Sequence, residues 1–156
     1  MATLMTALLV LNAPRQPQKA EGPLCTTPGC TYDPLLGCYQ LFKSPGGLSH
    51  PDANQYCAKD GGRLLLVNSK VEAKALGALL GKEGVQLVLI QGSSTSVSSP
   101  CVSDDGNPLP YTGTEEVRYQ LLAAYTVMLY NANGRFQAFL SSFKMPFVCE
   151  IVIKYD

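Results

Sequence analysis

Apolar residues come in short runs, separated by glycine, proline and small polar residues, and the period of each run predicts its element. Cys38-Tyr39-Gln40-Leu41-Phe42 is dense enough in strand formers to predict a strand, closed by the turn Ser44-Pro45-Gly46-Gly47. Ser49 then stands where a helix N-cap is wanted, and Pro51 and Asp52 suit a first helical turn. Ala53, Tyr56 and Cys57 recur on one face of that helix, and Gly61-Gly62 stops it. Arg63 to Asn68 carries Leu64-Leu65-Leu66-Val67, too short for a helix and suited to a buried strand. Ser69-Lys70-Val71-Glu72 is a capping-box pattern opening a second helix through Leu80, with Val71, Ala75, Leu76, Leu79 and Leu80 toward the core. Val85 to Ile90 reads as a buried strand. Gly92 to Gly113 is rich in Ser, Gly, Pro and Asp and reads as long loops. Thr126 to Tyr130 predicts a strand, Asn131 to Gly134 a turn, and Met145 to Ile153 the last strands. This order is α+β and not doubly wound.

Pro14 to Pro28 is polar and proline-rich, so residues 1–24 read as an N-terminal tail or linker and 25–156 as the domain. Within the tail, Leu4 to Leu11 is a short apolar core with no positive charge ahead of it. That pattern fits a partial secretory signal and equally an ordinary N-terminal strand. The chain has 156 residues, enough for one domain with a real core. Twelve basic and twelve acidic residues cancel, and no basic stripe interleaves with aromatics, which gives nucleic-acid binding no support. No apolar run reaches the ~20 residues that span a bilayer.

Catalytic chemistry finds few candidates. His50 is the only histidine and sits at a helix start, where a polar N-terminal residue is ordinary. No glycine-rich phosphate loop follows a strand, and Cys25-x4-Cys30-x7-Cys38 lacks the paired spacing of a zinc site. No enzyme activity, cofactor or metal is expected. Six cysteines instead argue for disulfides and an oxidising, extracellular compartment. Cys38 is placed to tie back to Cys25 or Cys30 as a small hairpin clasp.

Several segments together resemble the C-type lectin-like domain. They are Gly37-Cys38-Tyr39, Ala53-x-x-Tyr56-Cys57, Gly61-Gly62-Arg63-Leu64, Asn68-Ser69-Lys70-x-Glu72, Asp105-Gly106-Asn107-Pro108-Leu109 and Phe147-Val148-Cys149-Glu150. Their order and spacing span Cys25 to Ile151. The resemblance implies an α+β fold of two helices, small antiparallel sheets and a long loop region, stabilised by disulfides. It implies a bridge from Cys57 to Cys149, closing most of the chain into a loop. Four cysteines then remain, and pairing Cys38 with Cys25 or Cys30 leaves the other to staple the tail to Cys101. A bridge from Cys101 to a second chain is the alternative. The family's second bridge near the long loop is missing, its places held by Val127 or Met128 and by Ser141. Its Trp-Ile-Gly-Leu signature is replaced by Val88-Leu89-Ile90-Gln91-Gly92.

Sugar-binding members carry Glu-Pro-Asn or Gln-Pro-Asp on the long loop and Trp-Asn-Asp on the next strand. Here those places read Glu116-Val117-Arg118-Tyr119-Gln120 and Phe136-Gln137-Ala138, far short of the six to eight oxygens calcium requires. The pairs Asp104-Asp105 and Glu115-Glu116 read as solvated turns. Tyr111, Glu115, Glu116, Arg118, Tyr119 and Tyr125 fall in the family's recognition loop, and tyrosine and arginine favour binding hot spots. Tyr119, Leu121, Leu122 and Tyr125 have a packing role as their alternative. The expectation is an extracellular module, secreted or part of a cell-surface protein, that binds a protein ligand or receptor without calcium through Tyr111, Glu115, Glu116, Arg118 and Tyr119. The alternatives are a disulfide-linked assembly component or dimer, and a carbohydrate-binding lectin with a non-standard site.

Overall fold

The computed structural model describes residues 25–43, 45–95, 99–113, 125–130 and 135–151. The expected tail, 1–24, and the expected turn at Asn131 to Gly134 lie outside them. The elements are β1 (Thr31–Asp33), β2 (Gly37–Phe42), α1 (His50–Lys59), β3 (Gly62–Leu64), α2 (Lys70–Glu83), β4 (Leu87–Ser94), β5 (Tyr125–Tyr130), β6 (Phe136–Leu140) and β7 (Phe147–Ile151). The strands run β1-β2-β7-β4-β5-β6, with β3 also paired to β7. The last strand in sequence is therefore the hub of the sheet. It pairs antiparallel with β2, placing Phe42 opposite Phe147, and with β3, placing Leu64 opposite Cys149. Its one pairing with β4 is parallel, at Leu89 and Phe147.

α1 starts at Ser49 as expected, although the serine side chain makes no capping bond. Its inward face is His50, Ala53 and Cys57. Tyr56 lies at the rim, where its ring meets Phe42 edge-on at 4.5 Å between centroids; Phe42 in turn stacks on Phe147 at 4.7 Å. The Cys57–Cys149 bridge forms between α1 and β7, across a sequence separation of 92 residues. Gly62 is required beside it: a Cβ there would lie 2.6 Å from the Glu150 carbonyl oxygen, so only glycine lets β3 approach β7.

α2 differs from its expectation in three ways. The Ser69 hydroxyl accepts from the Glu72 amide at 3.2 Å, but the Glu72 carboxylate reaches past the cap to the Asn68 amide at 2.7 Å. The helix continues to Glu83, where Gly84 (φ 70°) turns the chain and the Val85 amide bonds back to the Leu80 carbonyl at 2.9 Å. The buried stripe is Ala73, Leu76, Gly77 and Leu80, while Val71 is 57% exposed, because the core meets the helix about two residues further round.

Two apolar clusters lie on the sheet. One gathers Leu65, Val67, Leu76, Leu80, Val88, Ile90 and Val148 beneath α2. The other gathers Ala53, Cys57, Leu64, Leu89, Phe147 and Cys149 beneath α1. Of the strand expected over Arg63 to Asn68, Arg63 and Leu64 pair with Glu150 and Cys149, and Leu65 adds one bond from its amide to the Val148 carbonyl, 2.9 Å. β4 runs on to Ser94, beyond the expected Ile90, and β6 occupies the strand position that the resemblance implied for Phe136-Gln137-Ala138.

Candidate functional site

The base of the long loop is built from β4 outward. Gln91 is 1% exposed in the middle of an apolar strand, and both ends of its amide are used. Its Nε2 donates to the Leu64 carbonyl at 3.0 Å, and its Oε1 accepts from the Asp104 amide at 2.9 Å. One side chain thus ties β3, β4 and the loop together. Ser93 and Val102 exchange two backbone hydrogen bonds of 3.0 and 2.9 Å, and Val102 bridges on to Pro108. The Ser103 amide bonds the Asn107 carbonyl and the Gly106 amide bonds the Ser103 carbonyl, both at 2.9 Å, closing a tight turn. Asp104 and Asp105 project from it as exposed residues, the turn expected of them.

Of the residues expected to bind ligand, the structure places Tyr111; Glu115, Glu116, Arg118 and Tyr119 lie outside the described residues, as do the Tyr125 side chain, Leu121 and Leu122. Tyr111 is half-buried, its ring edge-on to Phe136 at 5.6 Å, and both pack on the α2-side core. It therefore anchors the loop to β6 while keeping part of its surface accessible. In β6, Ala138 is fully buried and Gln137 half-buried, so the strand position expected to replace the metal-binding triplet presents one amide.

A shallow groove of about 560 Å³ runs between α1 and the 102–106 turn, with Asn54, Arg63, Ser93 and Asp104 on its walls. Its residues come from four separate segments, so no local pattern marks it. Arg63 Nε donates to Glu150 at 2.6 Å. Burial pushes the Glu150 carboxyl above its ordinary range, opposed by the Arg63 charge and by a bond from the Leu66 amide. His50 is buried, its amide bonded to the Ser141 carbonyl at 3.1 Å and its Nε2 without a hydrogen-bond partner among the described residues. Burial lowers the imidazole below its ordinary range, and the charge of Asp104 opposes the shift. The polar residue expected at this helix start is thus a buried histidine.

The cysteines correct one expectation. Cys25 bridges Cys38, settling which N-terminal cysteine closes the hairpin. The expected staple from the remaining one, Cys30, to Cys101 is not formed, and both keep their thiols. The reason is placement: Cys101 is 7% exposed within the α2-side core, whereas the Cys30 sulfur lies within 4.8 Å of those of Cys25 and Cys38. Burial of Cys101 also stands against its bridging a second chain.

No protein-family model and no curated protein sequence matches the chain. Among solved structures it is similar to human lithostathine, with a TM-score of 0.67 and 19% identity over 87% of this chain and 99% of that one. It is similar also to the carbohydrate-recognition domain of the mouse scavenger receptor C-type lectin, with a TM-score of 0.65 and 20% identity over 84% and 100% of the two chains. A calcium-independent type II antifreeze protein superposes with a TM-score of 0.63 and 19% identity over 85% and 99%. The chain has the C-type lectin-like fold. At these identities the likeness is one of architecture: a C-type lectin-like chain in which Gln91 stands in the central strand and the turn of Asp104 and Asp105 leads into the loop. No helix among the described residues is long and apolar enough to cross a membrane.

Proposed function

We propose that this chain is an extracellular recognition module that binds a protein partner, without calcium, through the face formed by its long loop. The observation that carries the reading is the way the loop base is held. Gln91, the Ser93–Val102 pair and the Tyr111–Phe136 contact each tie part of it to the sheet through groups of the chain itself, which supports a loop base held without an ion. A calcium-independent protein of the same fold shows that the architecture tolerates this. Two disulfides suit an oxidising compartment. Tyr111 offers ring area and a hydroxyl at the loop, and Glu115, Glu116, Arg118 and Tyr119 follow it in sequence with the residue types that anchor protein interfaces. The role is recognition, not catalysis.

The test has two arms. A thermal melt of the oxidised protein, with calcium and then with excess chelator, is expected to give one midpoint, because an ion bound only by the folded state must raise it. A midpoint several degrees higher with calcium overturns the calcium-free reading. Binding to cell-surface material is expected to fall on Arg118→Ala and Tyr119→Ala and to survive enzymatic removal of glycans. Loss of binding with the glycans, or its competition by free sugar, replaces the protein partner with a carbohydrate.

A further inference from the structure

The N-terminal hairpin holds three sulfurs where a bridge needs two. β1 and β2 pair with Thr31 opposite Tyr39 and Tyr32 opposite Cys38, so one step further back Cys30 falls opposite Gln40, on the same face as Cys38. The turn Thr27-Pro28-Gly29-Cys30, closed by a 3.2 Å bond from the Cys30 amide to the Thr27 carbonyl, folds the chain back and sets Cys25 beside that face. The three Sγ atoms lie within 4.8 Å of one another. Cys25 and Cys38 are bridged and Cys30 is a half-buried thiol next to them.

We propose that Cys25, Cys30 and Cys38 form a thiol–disulfide exchange site in which the bridge to Cys38 passes between Cys25 and Cys30. The Cys30 thiolate attacks Cys38 Sγ; the Cys30–Cys38 bond forms as the Cys25–Cys38 bond breaks, and Cys25 leaves as a thiolate. The proton Cys30 gave to solvent is returned to Cys25, so the step is an isomerisation that consumes neither oxidant nor reductant. Burial sets its direction. Attack on Cys25 would expel Cys38 as a thiolate, and Cys38 is 2% exposed, where an anion is costly to place. Attack on Cys38 expels Cys25, which is half-buried and reached by water. Cys38 thus stays bridged in both isomers, the hairpin stays closed, and the accessible thiol moves between residues 25 and 30. That thiol is the point at which a low-molecular-weight disulfide, or a disulfide of another chain, would be captured by exchange, one of its sulfurs leaving as a thiolate.

The experiment incubates the oxidised protein at mildly alkaline pH, where thiolates are populated, then quenches with acid, alkylates the thiols and maps the peptides by mass spectrometry. Alkylation is expected on both Cys25 and Cys30, with Cys25–Cys38 and Cys30–Cys38 peptides each at least about a tenth of the total. Cys30→Ser should leave Cys25–Cys38 alone and Cys25 unlabelled. Cys25→Ser should form Cys30–Cys38 under oxidising conditions. Label confined to Cys30 in the wild type after prolonged incubation overturns the proposal. So does label on both Cys30 and Cys38 in Cys25→Ser when the Cys57–Cys149 peptide is intact, since that bridge reports that the domain has folded.

Discussion

The Gln91 side-chain oxygen accepts a hydrogen bond from the Asp104 backbone amide at 2.9 Å, while its nitrogen donates to the Leu64 carbonyl at 3.0 Å. A polar side chain is buried at the centre of an apolar strand because both its donor and its acceptor are satisfied there, one inside the sheet and one at the loop. Gln91→Leu keeps the volume and leaves the Asp104 amide and the Leu64 carbonyl without that partner. The expected cost is about 2–3 kcal/mol, or about 5–10 °C in the melting midpoint. Hydrogen exchange at the Asp104 amide should accelerate more than at Val88. Equal loss of protection everywhere would mean that Gln91 stabilises the core and does not hold the loop.

The Cys57–Cys149 bridge closes 92 residues, the kind of loop for which cross-linking most restricts the unfolded chain. Cys57→Ser with Cys149→Ser should lower the unfolding free energy by about 4–5 kcal/mol on the loop-entropy account. Urea denaturation of the double variant against the wild type measures it.

His50 titrates below its ordinary range in the folded protein, first because it is buried. The unfolded chain takes up the proton from pH ~6.5 downward, while the folded state resists it. Stability is therefore lost as the pH falls from that value through the lowered folded one, and the loss ends below both. His50→Gln removes this segment of the pH profile. Unfolding free energies at pH 7.5 and pH 5 should differ less in the variant than in the wild type, and an unchanged difference would refute burial as the cause.

Glu150 works in the opposite sense. Its carboxyl is raised above 4.5 by burial, with Arg63 opposing, so the folded state holds its proton after the unfolded chain has released it. Its contribution is fully present below that pH and declines as the pH rises through the raised value. Arg63→Leu removes the opposing charge and should steepen the decline, with about 2 kcal/mol of added destabilisation at neutral pH. A carboxyl titration followed by NMR should show Glu150 moving further upward in the variant.

Much of the architecture was legible because local chemistry and tertiary demand agree. Ser69 and Glu72 mark the start of α2, Gly61-Gly62 ends α1, and the apolar segment around Cys149 becomes the strand that meets Cys57. The failures have local causes too. Val71 looks like a core residue on periodicity alone, but the helix turns Ala73, Leu76, Gly77 and Leu80 inward and leaves Val71 exposed. The apolar pattern alone did not mark β6, because Phe136, Ala138 and Leu140 alternate weakly beside an expected turn; only the resemblance placed a strand there, and pairing with β5 makes it. Of the candidate ligand residues, only Tyr111 falls where the fold can be read, and its half-buried ring on Phe136 gives it a structural share.

By itself the sequence determined the α+β class and the two helix starts, since capping, glycine stops and strand propensity act over a few residues; the pairing of Cys57 with Cys149 came only from the resemblance. Tertiary structure alone decided which of three clustered cysteines close the hairpin, that Cys101 and His50 are buried, and that Gln91 joins three segments. Those outcomes depend on which distant segments are brought within a few ångströms. That is set by β7 pairing with β2, β3 and β4 at once, a relation no local pattern encodes.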